Sequence, residues 1–162
     1  MDTNVSIVAN GRPDPSSGGR EPSPRCRRAA IDFLDETLKR RRILLDLDGE
    51  IQGEYRRHLN PSGQPGVGDL FYLEVLKSAP RRVERVNLPR TGTGAYTDFP
   101  TDIALSGFDH ADRKFAALAR RARAPVANAT DSDWLVHRTA LAKHGIVVRF
   151  VCGCVADHWF TR

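Results

Sequence analysis

The residues of this chain whose types and spacing point to chemistry are its carboxylates. Two pairs are separated by a single residue: Asp46 and Asp48 in ILLDLDGE, and Asp131 and Asp133 in NATDSDW. Asp2 lies in MDTNV, Glu54 in GEY, and Asp109 and Asp112 in FDHADRKFAALA. Clustered acids can work in two ways. One Asp can attack a phosphorus centre while a neighbour protonates the leaving group. Alternatively, several can converge as hard oxygen ligands for a divalent cation such as Mg²⁺ or Mn²⁺. The elements between them decide which reading holds.

Those elements read as alternating strands and helices. The β-branched run at residues 5–8 predicts a short strand segment with Asp2 at its start, ending at Asn10-Gly11. A loop rich in Gly, Pro and Ser follows. Ala30, Ile31, Leu34 and Leu38 keep helical spacing over residues 25–40, and residues 43–45 form a compact apolar strand. A helix through Ile51, Tyr55 and Leu59 is stopped by Asn60-Pro61. After the loop SGQPGVGD comes a helix carrying Phe71, Leu73, Val75 and Leu76, then a strand at 83–88. TGTGAYTDFPTD reads as loop, and Asp109 as the N-cap of an amphipathic helix. A strand at 125–128, a helix from TDSDW to Lys143 ended by His144-Gly145, and a strand at 146–151 complete the pattern.

This alternation predicts an α/β fold with a parallel sheet and helices on both faces, in one domain. In such sheets ligands bind at the carboxyl ends of the strands, where Asp46, Asp48, Asp131 and Asp133 fall. Asp112 shares a helix face with Phe115, Ala116 and Ala119. A carboxylate there is costly unless it is paired or metal-bound.

Composition excludes several classes. No apolar run approaches the roughly 18 residues of a membrane span. The N-terminal residues show no basic region ahead of an apolar stretch, so no secretory leader is expected and a cytoplasmic location is. Three cysteines, Cys26, Cys152 and Cys154, do not resemble a disulfide framework. The five histidines lack zinc spacing, and Gly92-x-Gly94 lacks the helix a phosphate cradle needs. The net charge of +5 comes from arginine clusters at 25, 27 and 28; 40–42; 56 and 57; 81, 82 and 85; and 120, 121 and 123. Guanidinium forks suit phosphates, so the charge is permissive of nucleic acid.

DTNV, the acid of GEY, FDHADRKFAALA and NATDSDWL occur in an order and spacing that resembles the PIN-domain ribonucleases, over residues 2–152. The resemblance implies a three-layer α/β/α domain at 1–152 with a central parallel sheet of order 3-2-1-4-5, followed by a short tail at 153–162. It implies a metal-dependent endoribonuclease in which Asp2, Glu54, Asp112 and Asp131 are catalytic. These four and Asp133 would hold Mg²⁺ or Mn²⁺, supported by Thr3, Asn4 and Thr130. RNA would be the substrate, with Arg120, Arg121 and Arg123 on its backbone. Family members of this size are often toxins of bacterial toxin–antitoxin pairs, which adds an antitoxin protein and a homodimer as partners to expect. The alternative is a catalytically weak PIN-like protein that binds RNA or a protein without cleaving.

In the family the DTN acid ends a strand of four or five apolar residues, whereas here Met1 alone precedes Asp2. The expectation is either in-frame apolar codons upstream or a core lacking part of its central strand. ILLDLDGE also resembles the opening of the haloacid-dehalogenase-type phosphatases. Glu50 stands where a flap Thr or Val should follow, and that reading leaves DTNV, DRKF and TDSDW unexplained. Asp46 and Asp48 read instead as a strand-to-helix turn, with Asp48-Gly49 supplying turn and cap.

Overall fold

A computed structural model describes residues 1–60, 62, 66–77 and 82–161. Most of the predicted SGQPGVGD loop before Gly66, and Arg81 of the arginine clusters, lie outside the described residues.

The first departure from the predicted pattern comes at once. Residues 5–8 do not extend but coil into α1 (Asn4–Ala9), every residue of which is buried. Helix propensity costs a Val or Ile only a few tenths of a kcal/mol to about 0.7 kcal/mol, which burial overrides. A helix also satisfies its own backbone polar groups in a dry interior. α1 packs against α2 (Pro24–Arg40) and α4 (Val67–Lys77). Ser23 caps α2 by accepting the Cys26 amide at 3.2 Å, with Pro24 at the first helical position. α4 begins before its predicted start because buried Asp69 gathers the chain around its first turn. Its carboxylate accepts the amides of Asn60 at 2.9 Å and Gly66 at 3.1 Å, and the Asn10 side chain at 3.0 Å.

The contact of α4 with α1 requires glycine. A Cβ on Gly68 would lie 2.1 Å from the Ser6 carbonyl oxygen, which is backbone and cannot swing away. Gly53, inside α3 (Glu50–His58), has nothing within 4 Å of the same position. Gly68→Ala should therefore destabilise the fold by about 2 kcal/mol or more, the range of overpacked cores. Gly53→Ala should stabilise it by about 0.5–1 kcal/mol. Urea melts of both variants check the pair, and equal effects would remove the close approach.

Four short strands occur among the described residues. β1 (Ile43–Asp46) pairs in parallel with β2 (Val83–Val86), Ile43 opposite Val83. β3 (Val126–Asn128) pairs in parallel with β4 (Val148–Phe150), Val126 opposite Val148. Among the described residues they form two separate two-stranded sheets rather than the expected single central sheet. The stub Met1–Asp2 joins the end of β3 by one backbone bond, from the Asp2 amide to the Ala127 carbonyl at 3.0 Å. α5 (Arg113–Ala122) packs on both β1 and β3, and α3 on β1, so the architecture is mixed α/β.

Two boundaries differ from the sequence pattern. Asp109 accepts the Ala111 amide at 2.8 Å in a preceding turn, and Asp112 stands at the N-terminal boundary of α5. The helix predicted from TDSDW to Lys143 is two, α6 (Ser132–Val136) and α7 (Arg138–Lys143), broken at His137. After β4, Trp159 is fully buried and Phe160 bridges to Pro22. Cys26 and Cys152 form a disulfide that ties α2 to the chain just after β4, and Cys154 is free and exposed. Among the described residues no helix is long and apolar enough to cross a membrane.

Candidate metal centre

Asp2 and α1, the Asp14 loop, the second half of α3, the start of α5 and the N-cap of α6 meet around one cleft of about 370 Å³. Asp2 enters it from the stub before α1. One Asp2 carboxylate oxygen accepts the Asn4 amide at 3.0 Å, and the other accepts the Trp134 indole N–H at 2.7 Å. Asn4 fixes this corner from below. Its Nδ2 donates to Asn128 Oδ1 at 2.7 Å and its Oδ1 accepts the Ala129 amide at 2.8 Å, joining α1 to the end of β3. Asp131 caps α6 through the Asp133 amide at 2.8 Å. Asp112, at the boundary of α5, makes no capping bond, and its Oδ2 is buried with no hydrogen-bond partner.

Asp2, Asp112 and Asp131 each place one oxygen within 4.8 Å of the other two. Asp2 is 4% and Asp112 7% exposed, so the charges are nearly dry. Burial first, and then the neighbouring carboxylates, push the Asp2 and Asp112 carboxyls far above the ordinary range. Asp131 rises to about 6, chiefly by burial. An unpartnered buried oxygen is costly, and three convergent carboxylates repel one another. A divalent cation with a preference for hard oxygen donors resolves both, so this triad could hold a metal ion.

The other predicted residues take different places. Glu54 lines the cleft but is engaged, accepting the Thr3 hydroxyl at 2.6 Å and forming an ion pair with buried Lys114. Thr3 thus acts on Glu54 and Asn4 on Asp2. Asp133 stands outside the triad: one oxygen accepts the Asp109 amide at 2.8 Å and the other meets His137 Nδ1 at 3.0 Å. Thr130 holds no acid, since its buried hydroxyl has no hydrogen-bond partner. Asp46, not Asp48, caps α3, its two oxygens accepting the Glu50 and Ile51 amides at 2.7 and 2.8 Å. Gly49 supplies the left-handed turn with φ of 82°.

Arg120 and Arg121 hold Asp98, and Arg123 ends α5, at the opposite end of that helix from Asp112. A different basic surface adjoins the acids. A cleft of about 520 Å³ lined by Arg12, Arg56, Arg57 and His58 shares Arg57 and His58 with the acid cleft. Sequence reasoning did not find Lys114, Trp134, Asn128 or Asp14. Asp14 is buried, lines the acid cleft and raises Asp2 and Asp131 through its charge. It sits between prolines in a loop, where no periodicity marks a side chain as inward.

No protein-family model matches this chain, nor does any curated protein or solved structure match it.

Proposed function

We propose that the protein is a PIN-like, divalent-metal-dependent endoribonuclease whose metal site is Asp2, Asp112 and Asp131. The observation that carries the reading is the unpartnered, buried Oδ2 of Asp112 beside two other convergent carboxylates. The sheet halves support the fold: β2-β1 and β3-β4 correspond to the 3-2 and 4-5 halves of the order 3-2-1-4-5, with the stub carrying Asp2 bonded to the end of β3.

Bound Mg²⁺ or Mn²⁺ would activate a water and offset charge on the phosphodiester. The residues do the rest. Trp134 and Asn4 fix both oxygens of Asp2, and the start of α6 fixes Asp131, so the donor set is held in place before a ligand arrives. Glu54, neutralised by Lys114, helps hold Thr3 and the stub rather than adding a fourth charge. Lys114 places a cation at the cleft wall, where a phosphate entering beside the acids meets it. Arg56 and Arg57 flank the cleft with no ion-pair partner among the described residues, a surface suited to the backbone of single-stranded RNA.

The test is cleavage of single-stranded RNA that needs Mn²⁺ and stops with chelator. RNA binding without cleavage would favour the second reading, an RNA-binding PIN-like protein. The Lys114–Glu54 pair favours that reading, since it withdraws one acid from the cluster.

The RNA path has its own expected result. In chelator, where RNA stays intact, affinity should fall with salt by a log–log slope of about −0.7 per neutralised phosphate. Changing Arg56 and Arg57 together to Gln should flatten that slope by about 1.4. Changing Arg120 and Arg121 to Gln should alter it less, because Asp98 already engages both. Fluorescence anisotropy across a salt series measures both, and an unchanged slope in the Arg56/Arg57 variant would remove that cleft from the path.

A further inference from the structure

The connection between β2 and α5, residues 87–112, is long for a segment inside one domain and carries a short 3₁₀ turn at Ile103–Leu105. Connections beyond about 12–15 residues usually serve a function or a binding surface. This one folds back at an antiparallel bridge between Arg90 and Tyr96. Together with the starts of α3 and α5 it walls a cleft of about 770 Å³. That volume falls within the roughly 300–1,000 Å³ of small-molecule sites. The acid triad lies outside it.

One wall of the cleft is built in layers. The Arg90 guanidinium lies over the Tyr96 ring, 4.3 Å from its centroid. It is pinned at two points. Nη1 donates to the Gly94 carbonyl at 2.7 Å, and Nη2 donates to Glu50 and, at 2.9 Å, to the Tyr96 hydroxyl. That hydroxyl donates in turn to Glu50 at 2.7 Å. A cation fixed on an aromatic ring is a ready surface for stacking, and nucleobases stack on both guanidinium planes and aromatic rings. Nearby, half-buried Phe99 stacks on buried Phe108 and lies under Arg113. Thr93, Thr97 and Ser106 add hydroxyls, which both give and accept hydrogen bonds and so suit the edge of any base.

Charge and continuity point to the same ligand. The acids lining the cleft are engaged: Glu50 by Arg90 and Tyr96, and Asp102 by His144 at 2.8 Å and the Ala104 amide at 2.9 Å. Arg90, Arg113 and Lys114 line it as well, so its balance is positive and suits an anion. Ala111 and Lys114 line both this cleft and the acid cleft. Glu50 and Glu54 stand one turn apart on α3, the first in this cleft and the second in the other. Side chains so placed start about 5–6 Å apart. A strand whose phosphate lies at the acids therefore reaches this cleft with its next nucleotide.

We propose that the cleft is a nucleobase subsite for RNA: the base beside the reacting phosphate stacks on the Arg90–Tyr96 platform, and Lys114 meets the phosphate between the two clefts. The proposal rests on the ribonuclease reading and adds where the strand is gripped. A stacking face rimmed by hydroxyls should discriminate little among bases.

The first test uses the unaltered protein in chelator, so neither metal nor cleavage enters. By NMR titration, adenosine and cytidine 5′-monophosphates should each bind about 10-fold or more tighter than ribose 5-phosphate, the factor expected of one stacked base. Amide shifts at residues 90–97 should accompany both nucleotides and be absent with the sugar phosphate. Tyr96→Leu should remove the preference, and Tyr96→Phe, which keeps the ring, should retain most of it. In Mn²⁺, Tyr96→Leu should raise KM for single-stranded RNA by about 10-fold. Equal binding of nucleotides and ribose 5-phosphate by the unaltered protein would overturn the proposal, even where Mn²⁺-dependent cleavage is found. An unchanged KM beside lost nucleotide binding would also overturn it, by assigning the cleft to a free nucleotide. Base-dependent binding at 90–97 without any RNA cleavage would instead overturn the ribonuclease reading and leave the base site in place.

Discussion

Asp112→Asn should raise the melting temperature of the metal-free protein while abolishing most of its response to Mn²⁺. The wild-type protein in Mn²⁺ at a hundredfold excess over Kd gains about 2.7 kcal/mol by mass action, or about 5–10 °C. Removing one of three carboxylate ligands should weaken metal affinity by about 100-fold or more, since even residues behind metal ligands are worth 10–100-fold. RNA cleavage should fall in step. The gain without metal follows from the direction of the pKa shifts. Asp2, Asp112 and Asp131 are all raised in the folded state, so it retains protons that the unfolded chain releases above about pH 4. Stability is then fully present in acid and is lost as pH rises, through about 6 for Asp131 and higher for the other two. Asn cannot ionise, so the variant should have a shallower pH profile in chelator. Thermal melts of both proteins from pH 4 to 9, with chelator and with Mn²⁺, measure every term. Equal Mn²⁺ shifts in the two would remove Asp112 from the site. Parallel pH profiles in chelator would remove the repulsion.

Reducing the Cys26–Cys152 disulfide should lower stability by about 3–5 kcal/mol. The bond closes a span of 126 residues, and chain-entropy estimates for loops near that length are about 4.7 kcal/mol. For a domain of this size the melting temperature should drop by about 10 °C or more. Cys26→Ala together with Cys152→Ala should reproduce the effect of reductant and become insensitive to it. Cys154→Ser, which alters only the free exposed thiol, should melt as the wild type does. A reductant that changes nothing, with free thiols rising from one to three, would assign no stabilisation to the bond.

Much of this architecture was legible where periodicity and turn chemistry act locally. The strands near residues 43, 83, 126 and 148 and the helices α2, α3 and α4 follow from apolar spacing and breakers. The residues at 5–8 misled because β-branching is a local preference, and α1 is decided by burial against α2 and α4. The split of the sheet was legible only as a question, since pairing across β1, the stub and β3 is a long-range matter. The site follows the same division. Asp131 follows the strand it was expected to follow, Asp112 was marked by its costly place on an apolar helix face, and Asp2 was implied only by the family resemblance; the structure brings the three together. Glu54 and Asp133 have equally suggestive positions, but Lys114 engages one, and His137 with the Asp109 amide engages the other. No local pattern encodes those partners. The disulfide was missed for the same reason: cysteine arithmetic carries no geometry across 126 residues.

The hydrogen bond between Asp2 and Trp134 spans 132 positions of the chain. At about 5–20 residues per second of synthesis, roughly 7–26 s separate the two residues at the ribosome. α1 follows Asp2 immediately and is wholly buried in the finished fold, yet Asn4 pairs with Asn128 and Ala129, which emerge late. The helices α1 packs against, α2 and α4, are complete by Lys77, but the groups that hold Asn4 and Asp2 come later, and six residues are too few to hold a helix alone. The carboxylate of Asp2 is therefore made early and fixed by Trp134 late. The acid cluster closes only when nearly the whole chain is present, so the ability to hold a metal coincides with the completion of folding.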